Sequence, residues 1–174
     1  MSEEQPGSDA SNNDLDGASA KGPQLAIKRL FIKDLSFEAP LGAEGFNRQV
    51  QPTVNQDIGT GVTKIDEQHY EVVLHLTVAV KDGDSTLYMV ELQQAGVFMV
   101  SGLEQTMLAQ VLNTHCPTVL FPYARAVVDD MAVKGGFPPL MLPPVNFEIL
   151  FQQALAKRAA SAETQTQPST DQPH

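Results

Sequence analysis

The chain contains no tryptophan, and Cys116 is the only cysteine among its 174 residues. A single cysteine excludes an internal disulfide framework and is typical of a reducing compartment. No apolar run reaches the roughly 18 residues of a membrane-spanning helix, and the first residues lack the basic and apolar regions of a secretory signal. These absences predict a soluble cytoplasmic protein that does not insert directly into a membrane.

Basic residues are also scarce: 11 lysines and arginines stand against 21 acidic residues, for a formal net charge of -10. Residues 1–24 and 159–174 contribute -6 of that charge, so the body of the chain is only mildly acidic. Phosphate binding requires clustered lysine and arginine side chains. The composition therefore argues against nucleic acid as a partner and is compatible with attraction to a basic partner.

The chain offers no convincing catalytic or metal-binding motif. Its four histidines do not recur at a spacing typical of metal ligands. His115 and Cys116 are adjacent, yet neighbouring side chains on a helix diverge by about 100° and seldom face each other. A small buried residue or a subunit contact is the more common role for such a cysteine. We therefore expect no catalytic residue, no metal, no cofactor and no enzyme activity.

Composition divides the chain into three parts. Residues 1–24 are rich in serine, asparagine, aspartate and glycine and have no apolar period, which predicts a disordered acidic extension. Residues 158–174 have a similar polar composition and are predicted to form a disordered tail. Residues 25–157 between them form one predicted domain, without an internal repeat.

Strand patterns occupy the first part of this domain. Residues 70–80 place six apolar side chains on one face at a period of two, and residues 86–100 return after an Asp-Gly turn. A first strand is predicted at 25–37. A second segment at 46–58 is predicted to end at a turn over residues 59–61.

Helical patterns fill the remainder. Ser101 and Glu104 fit a capping box that begins a helix, which Pro117 is expected to interrupt. A second helix is predicted to begin at Pro122, and Asn146 is predicted to cap a last one. Strands followed by helices indicate an α+β domain, with an antiparallel four-stranded sheet and helices packed on one face.

The first strand has two chemically different faces. Alternation places Phe31, Lys33, Leu35 and Phe37 on one face and three polar residues, two of them acidic, on the other. The return strand also has a mixed face opposite its apolar row. A solvated sheet face explains the acids, but a partner-docking patch would use all four of the residues Asp34, Glu38, Met89 and Glu91. The pattern leaves both interpretations open and by itself favours the solvated face.

A second group of apolar residues lies in edge-like strands and in a loop, residues 137–145, that contains four prolines. Core burial and an exposed binding surface both fit these residues, because exposed apolar patches commonly mark interaction sites. Self-association through a twofold axis would also cover such apolar residues. The group comprises Phe31, Leu35, Phe37, Phe46, Phe137, Leu140, Met141, Leu142 and Phe147.

Four segments resemble the bacterial protein-export chaperone family SecB, and the resemblance covers about residues 25–156. The segments are KDLSFEAP (33–40), ELQQAGVF (91–98), CPTVLFPYAR (116–125) and LPPVNFEILF (142–151). The resemblance implies a homotetramer, built as a dimer of dimers with helices between two sheets. It also implies a holdase without ATPase activity, which binds unfolded precursor proteins and delivers them to the translocation motor SecA.

The resemblance also implies roles for individual residues. Asp34, Glu38, Met89 and Glu91 would bind the basic, zinc-containing tail of SecA, with Met89 standing where other members carry leucine. The last helix would add a second contact, and Cys116 would lie near a subunit interface. The expected client groove is formed by Phe31, Leu35, Phe37, Phe137, Leu140, Leu142 and Phe147. The alternative is a non-chaperone oligomeric adaptor that uses only the acidic docking patch.

Overall fold

A computed structural model describes residues 22–46 and 51–164. Four strands precede three α-helices, so the predicted α+β order is confirmed. The strands are β1 (Gln24–Glu38), β2 (Thr53–Lys64), β3 (His69–Asp82) and β4 (Ser85–Ser101). A short 3₁₀ helix spans Gly42–Phe46, and the α-helices are α1 (Gln105–Asn113), α2 (His115–Lys134) and α3 (Phe147–Thr164).

The strands form one antiparallel sheet in the order β1-β4-β3-β2. The hairpin between β3 and β4 closes at the pair Asp82 and Ser85, and Gly83 in its turn has a φ of 58°. This left-handed conformation is the one that the Asp-Gly dipeptide predicts. The chain crosses from β1 to β2 at the opposite edge of the sheet, so β1 and β2 are both edge strands.

The core lies between the sheet and helix α2. The even-numbered residues from Tyr70 to Val80 in β3 and from Tyr88 to Val100 in β4 face the helices and are buried, as the period of two predicts. Helix α2 contributes Leu120, Ala124 and Val128 from the other side. Burying a valine or leucine side chain contributes about 1.5–3 kcal/mol each. The opposite side of the sheet, which we call the outer face, carries the odd-numbered residues of these two strands.

The predicted turn at residues 59–61 is wrong. β2 continues through Gly59 and Gly61, which pair with His75 and Val73 without a register shift. A Cβ atom on Gly61 would lie 3.4 Å from Nε2 of His75. The imidazole thus covers the glycine, and pairing along all of β3 outweighs the low strand propensity of glycine.

The predicted capping box is also wrong. Ser101 remains in β4 and pairs with Gln24 of β1, while α1 begins only at Gln105, with Glu104 at its N-cap position and no side-chain cap bond. Strand pairing therefore retains the serine that the sequence pattern assigned to a helix.

Pro122 lies inside α2 and does not begin a new helix. Its missing N–H would have bonded the carbonyl of Thr118, one turn earlier. Both residues are exposed, so water can solvate that carbonyl. Pro117 stands in the first turn of α2, where an N–H has no partner within the helix. One continuous helix of 20 residues results.

Helix α3 begins as predicted. Asn146 accepts a hydrogen bond from the backbone N–H of Ile149 through its side-chain oxygen, at 3.1 Å. The helix then continues to Thr164, so residues 158–164 of the predicted disordered tail are helical. Alanine-rich sequence, with the highest helix propensity, accounts for the extension. Residues 165–174, and residues 1–21 of the predicted extension, lie outside the described part of the chain.

None of the helices in the described part of the chain combines the length and the apolar character that a membrane span requires.

Candidate functional site

Two register shifts in β1 change which of its side chains share a face. They lie between Ile27 and Arg29 and between Ile32 and Asp34. Such bulges add a residue to one strand and reverse the alternation beyond them. The alternation predicted from sequence ignored both shifts, so it assigns some side chains of β1 to the wrong face.

Phe31 pairs with Ala95 on the outer face, whereas Leu35 and Phe37 pair with Leu92 and Val90 on the helix side. The predicted apolar row is therefore divided between the two faces. Lys33 also reaches the outer face, where its ammonium forms an ion pair with Glu71 of β3. The prediction that Phe31 and Lys33 share a face with Leu35 and Phe37 is wrong.

The outer face gathers the four predicted docking residues. Asp34 pairs with Gln93, Ser36 with Glu91, and Glu38 with Met89. At about 3.3 Å per residue along a strand and about 4.8 Å between strands, their backbone positions span roughly 13 Å. We call Asp34, Glu38, Met89 and Glu91 the acidic patch.

The carboxylates of the acidic patch carry uncompensated charge. Asp34, Glu38 and Glu91 are exposed, and Met89 is half-buried beside them. The ion pairs within residues 22–46 and 51–164 involve other acids, namely Glu71, Asp66 and Asp130. The patch thus combines three negative charges with one thioether, which suits a partner that carries basic and apolar groups.

Sequence reasoning missed a further acid on the same face. Asp57 of β2 pairs with Thr77, and Thr77 pairs with Glu91, so one row crosses all four strands. Asp57 is exposed. The alternation of Asp57 with the half-buried Ile58 could have indicated that Asp57 points outward from a strand. The turn predicted at 59–61 instead placed this segment at the end of a strand.

The helix side carries a chain of stacked aromatic rings near the end of α2. Phe37 stacks on Tyr88 with ring centroids 5.8 Å apart, Tyr88 on Phe137 at 4.4 Å, and Phe137 on Phe46 at 5.0 Å. We call these four residues the aromatic cluster. Tyr88 lies in the core, whereas Phe46 is 54% exposed, so the cluster connects the interior with solvent.

The surroundings of the cluster affect two of its members, Tyr88 and Phe37. Burial, together with the nearby charge of Asp129, raises the pKa of Tyr88 to about 12, so its ring remains neutral. A Cβ atom on Gly135 would lie 2.2 Å from Cζ of Phe37, so only glycine allows the end of α2 to approach that ring so closely.

The predicted client-groove residues do not form one set. Leu142 and Phe147 are buried at 2% and 3% exposure, where an approaching chain cannot contact them. Leu35, Phe37, Phe137 and Leu140 are partly buried against the core, and Phe31 lies on the other side of the sheet. Phe46, which the sequence left undecided between core and surface, provides the most exposed ring of the cluster.

A second apolar groove lies between the free edge of β2 and helix α3. Its apolar lining comes from Ile58, Leu150, Phe151 and Leu155, and Asn113 and Arg158 add polar groups to it. Leu150 and Leu155 are exposed. Unlike β1, strand β2 pairs without a bulge along all its residues, so its outward N–H and C=O groups form a regular row.

Cys116 is fully buried, and burial raises the pKa of its thiol to about 12. Because the thiolate is the reactive form, only about one thiol in ten thousand is ionised at pH 8. We expect iodoacetamide to alkylate the native protein at least about 100-fold more slowly than the protein unfolded in urea. Mass spectrometry over time measures both rates, and similar rates would contradict the burial of this residue.

Within the described ranges, no three histidine, cysteine or acidic side chains lie close enough to hold a metal ion. Asp66 and His69 interact in the turn before β3, where Asp66 accepts hydrogen bonds from the N–H groups of Gln68 and His69. Those backbone bonds, Gln68 foremost, and the His69 ring lower the pKa of this carboxyl. These bonds stabilise the turn.

Comparison with known proteins yields consistent matches. The family model for SecB, described as preprotein translocase subunit SecB, matches residues 18–158. The protein-export protein SecB of Cellvibrio japonicus is 44% identical over 158 residues, which cover 91% of this chain and 95% of that one. The corresponding protein of Marinobacter nauticus is 50% identical over 140 residues, covering 80% and 85%.

A solved structure shares the fold. It is a SecB-like chaperone of Mycobacterium tuberculosis in complex with a peptide from an antitoxin, with a TM-score of 0.60 and 15% identity. The match covers 70% of this chain and 90% of that one. At this identity the likeness concerns the architecture alone.

Proposed function

We propose, because this chain belongs to the SecB family, that it holds unfolded precursor proteins in a translocation-competent state and delivers them to the motor SecA. Membership of the family makes the protein a chaperone of protein export. One observation carries the finer proposal: the acidic patch and the two apolar surfaces lie on opposite sides of a single sheet. A client and a docking partner can therefore be bound at the same time.

The helix side suits an unfolded client. The exposed end of the aromatic cluster offers rings to apolar side chains, and the groove beside β2 offers apolar surface next to unpaired backbone groups. An extended chain can pair with such an edge while alternate side chains enter the groove. Several weak contacts of this kind tolerate many sequences and add up through multivalency.

The outer side suits a basic partner. Three exposed carboxylates without ion pairs among the described residues attract lysine and arginine side chains, and Met89 adds an apolar contact. Such a surface raises association rates and selects partners by charge. We assign this surface to the basic, zinc-containing tail of SecA, and propose that α3 provides a second contact.

The active assembly in this proposal is a homotetramer, a dimer of dimers of the chaperone domain at residues 25–157. Apolar residues exposed on β1 and α1 support association of protomers through these two elements. They include Leu25, Ile27 and Met107. Cys116 is packed within the protomer, so its proposed role near a subunit interface is to support α2.

The proposed mechanism includes no chemical step. Binding the unfolded chain opposes its folding by mass action, and the binding free energy alone sets the effect. We accordingly assign the protein no catalytic residue or cofactor, and place it in the cytoplasm, where precursors await export.

Native mass spectrometry with and without an unfolded client tests the proposal. We expect a mass four times 18.8 kDa, and a further complex with reduced and carboxymethylated α-lactalbumin, which cannot refold. A tetramer that never binds this chain, yet binds SecA, would favour the oligomeric adaptor. A monomer with full client affinity would contradict the proposed assembly.

A further inference from the structure

The proline-containing loop between α2 and α3 has no regular secondary structure, yet a side chain of α2 is bonded to its middle. The carboxylate oxygen Oδ1 of Asp129 accepts hydrogen bonds from the backbone N–H groups of Leu140 and Met141, at 2.9 and 3.0 Å. These bonds connect residues 11 and 12 positions apart. One helix side chain thus holds the middle of the loop.

The backbone at that point is strained. Met141 has a φ of 53° and is the only non-glycine residue of the described chain with a positive φ. Side chains rarely adopt this left-handed conformation, and it persists where surrounding contacts impose it. Met141 is 64% exposed, so its own side chain does not impose the conformation. Two contacts impose it instead: the hydrogen bonds that Asp129 accepts, and the burial of Leu142, the next residue.

The loop adjoins the aromatic cluster. Phe137, at its start, stacks between Tyr88 and Phe46, and Leu140 packs against the core three residues later. Met141, the next residue after Leu140, projects into solvent. The conformation held by Asp129 therefore determines how the apolar side chains of the loop are placed next to the exposed end of the cluster.

We infer that Asp129 is a positioning residue for client capture, which holds residues 140 and 141 so that the loop and the aromatic cluster present one apolar surface. The inference rests on the proposed holdase function. Without the carboxylate, the loop samples several conformations, and the apparent affinity falls in proportion to the fraction that remains competent. Asp129 acts through the loop, without contacting the client itself.

The substitution Asp129→Ala removes the oxygen that accepts both hydrogen bonds and keeps the helix, since alanine has the highest helix propensity. We expect the dissociation constant for reduced and carboxymethylated α-lactalbumin to rise about ten-fold, because two hydrogen bonds to a charged acceptor are lost. Hydrogen exchange of the Leu140 and Met141 amides should accelerate by a similar factor. Asp129→Asn retains an oxygen acceptor and should stay within about two-fold of the wild type.

Asp130→Ala is the matched control, since it removes the same charge from the next position. Asp130 is exposed, and among the described residues its ion pair is with Lys134 of its own helix, at 2.7 Å. Equal weakening by both alanine variants would overturn the inference, because net charge would then explain the loss. Unchanged client affinity in Asp129→Ala would also overturn the inference. A large fall in the melting temperature of Asp129→Ala would overturn it as well, because Asp129 would then be required for folding.

The wild-type protein separates this inference from the proposed function. Failure of the wild type to bind the unfolded chain would remove the holdase function itself. Binding by the wild type together with full binding by Asp129→Ala would remove only the role of Asp129.

Discussion

Replacing Glu91 by lysine is expected to weaken the binding of SecA about 100-fold, while the affinity for an unfolded client stays unchanged. Glu91 lies at the centre of the acidic patch, in the row that joins Ser36, Thr77 and Asp57. The substitution removes one attractive charge and sets a lysine against the basic groups of the partner. Isothermal titration with the isolated zinc-containing tail of SecA measures the change.

Glu67→Lys is the control for this prediction. Glu67 is exposed, as Glu91 is, and lies in the turn between β2 and β3, at the other end of the sheet. The substitution Glu67→Lys changes the net charge by the same amount as Glu91→Lys, but at a position away from the acidic patch. Equal loss of SecA binding in both variants would show that the net charge of the protein matters and that the acidic patch does not. Increasing salt should weaken docking more than client capture, because screening acts on charges.

Replacing Phe46 by serine is expected to weaken the binding of reduced and carboxymethylated α-lactalbumin about ten-fold. The Phe46 ring is 54% exposed and stacks on Phe137, so its loss removes accessible apolar surface while leaving the core intact. The free energy of unfolding should change by less than about 1 kcal/mol, as for other exposed positions. Fluorescence anisotropy of the labelled client and urea unfolding measure the two quantities.

Ile65→Ser is the matched control, because Ile65 is also 54% exposed and lies just after β2, which ends at Lys64. It removes a comparable exposed apolar side chain outside the aromatic cluster. Client affinity in this variant should stay close to that of the wild type. A similar loss in both variants would mean that clients bind exposed apolar residues wherever they occur, and would contradict a defined site at Phe46.

The strands and their hairpin were predictable because their signals are local. The alternation along β3 and β4 identifies the buried face of each strand, and the Asp-Gly turn identifies their connection. Asn146 likewise caps α3, as its position before an apolar stripe predicts. Side chains that alternate within one strand need no information from the rest of the chain.

Several of the errors share a different origin, since in them a distant segment overrides a local preference. Gly59 and Gly61 remain in a strand because β3 pairs with them, and Ser101 remains in β4 because Gln24 pairs with it. The bulge between Ile32 and Asp34 moves Phe31 to the outer face. A pattern of apolar and polar residues does not report such a register shift.

The sequence by itself determined the class of fold, the chemistry of the acidic patch and the resemblance to the SecB family. Only the tertiary structure decided that β1 lies beside β4, which brings Asp34 and Glu38 next to Met89 and Glu91. It also decided that Phe46 joins the aromatic cluster and that Asp129 holds the loop. Alternation depends on neighbouring residues, whereas strand order and long-range contacts depend on which arrangement of the whole chain buries the most apolar surface.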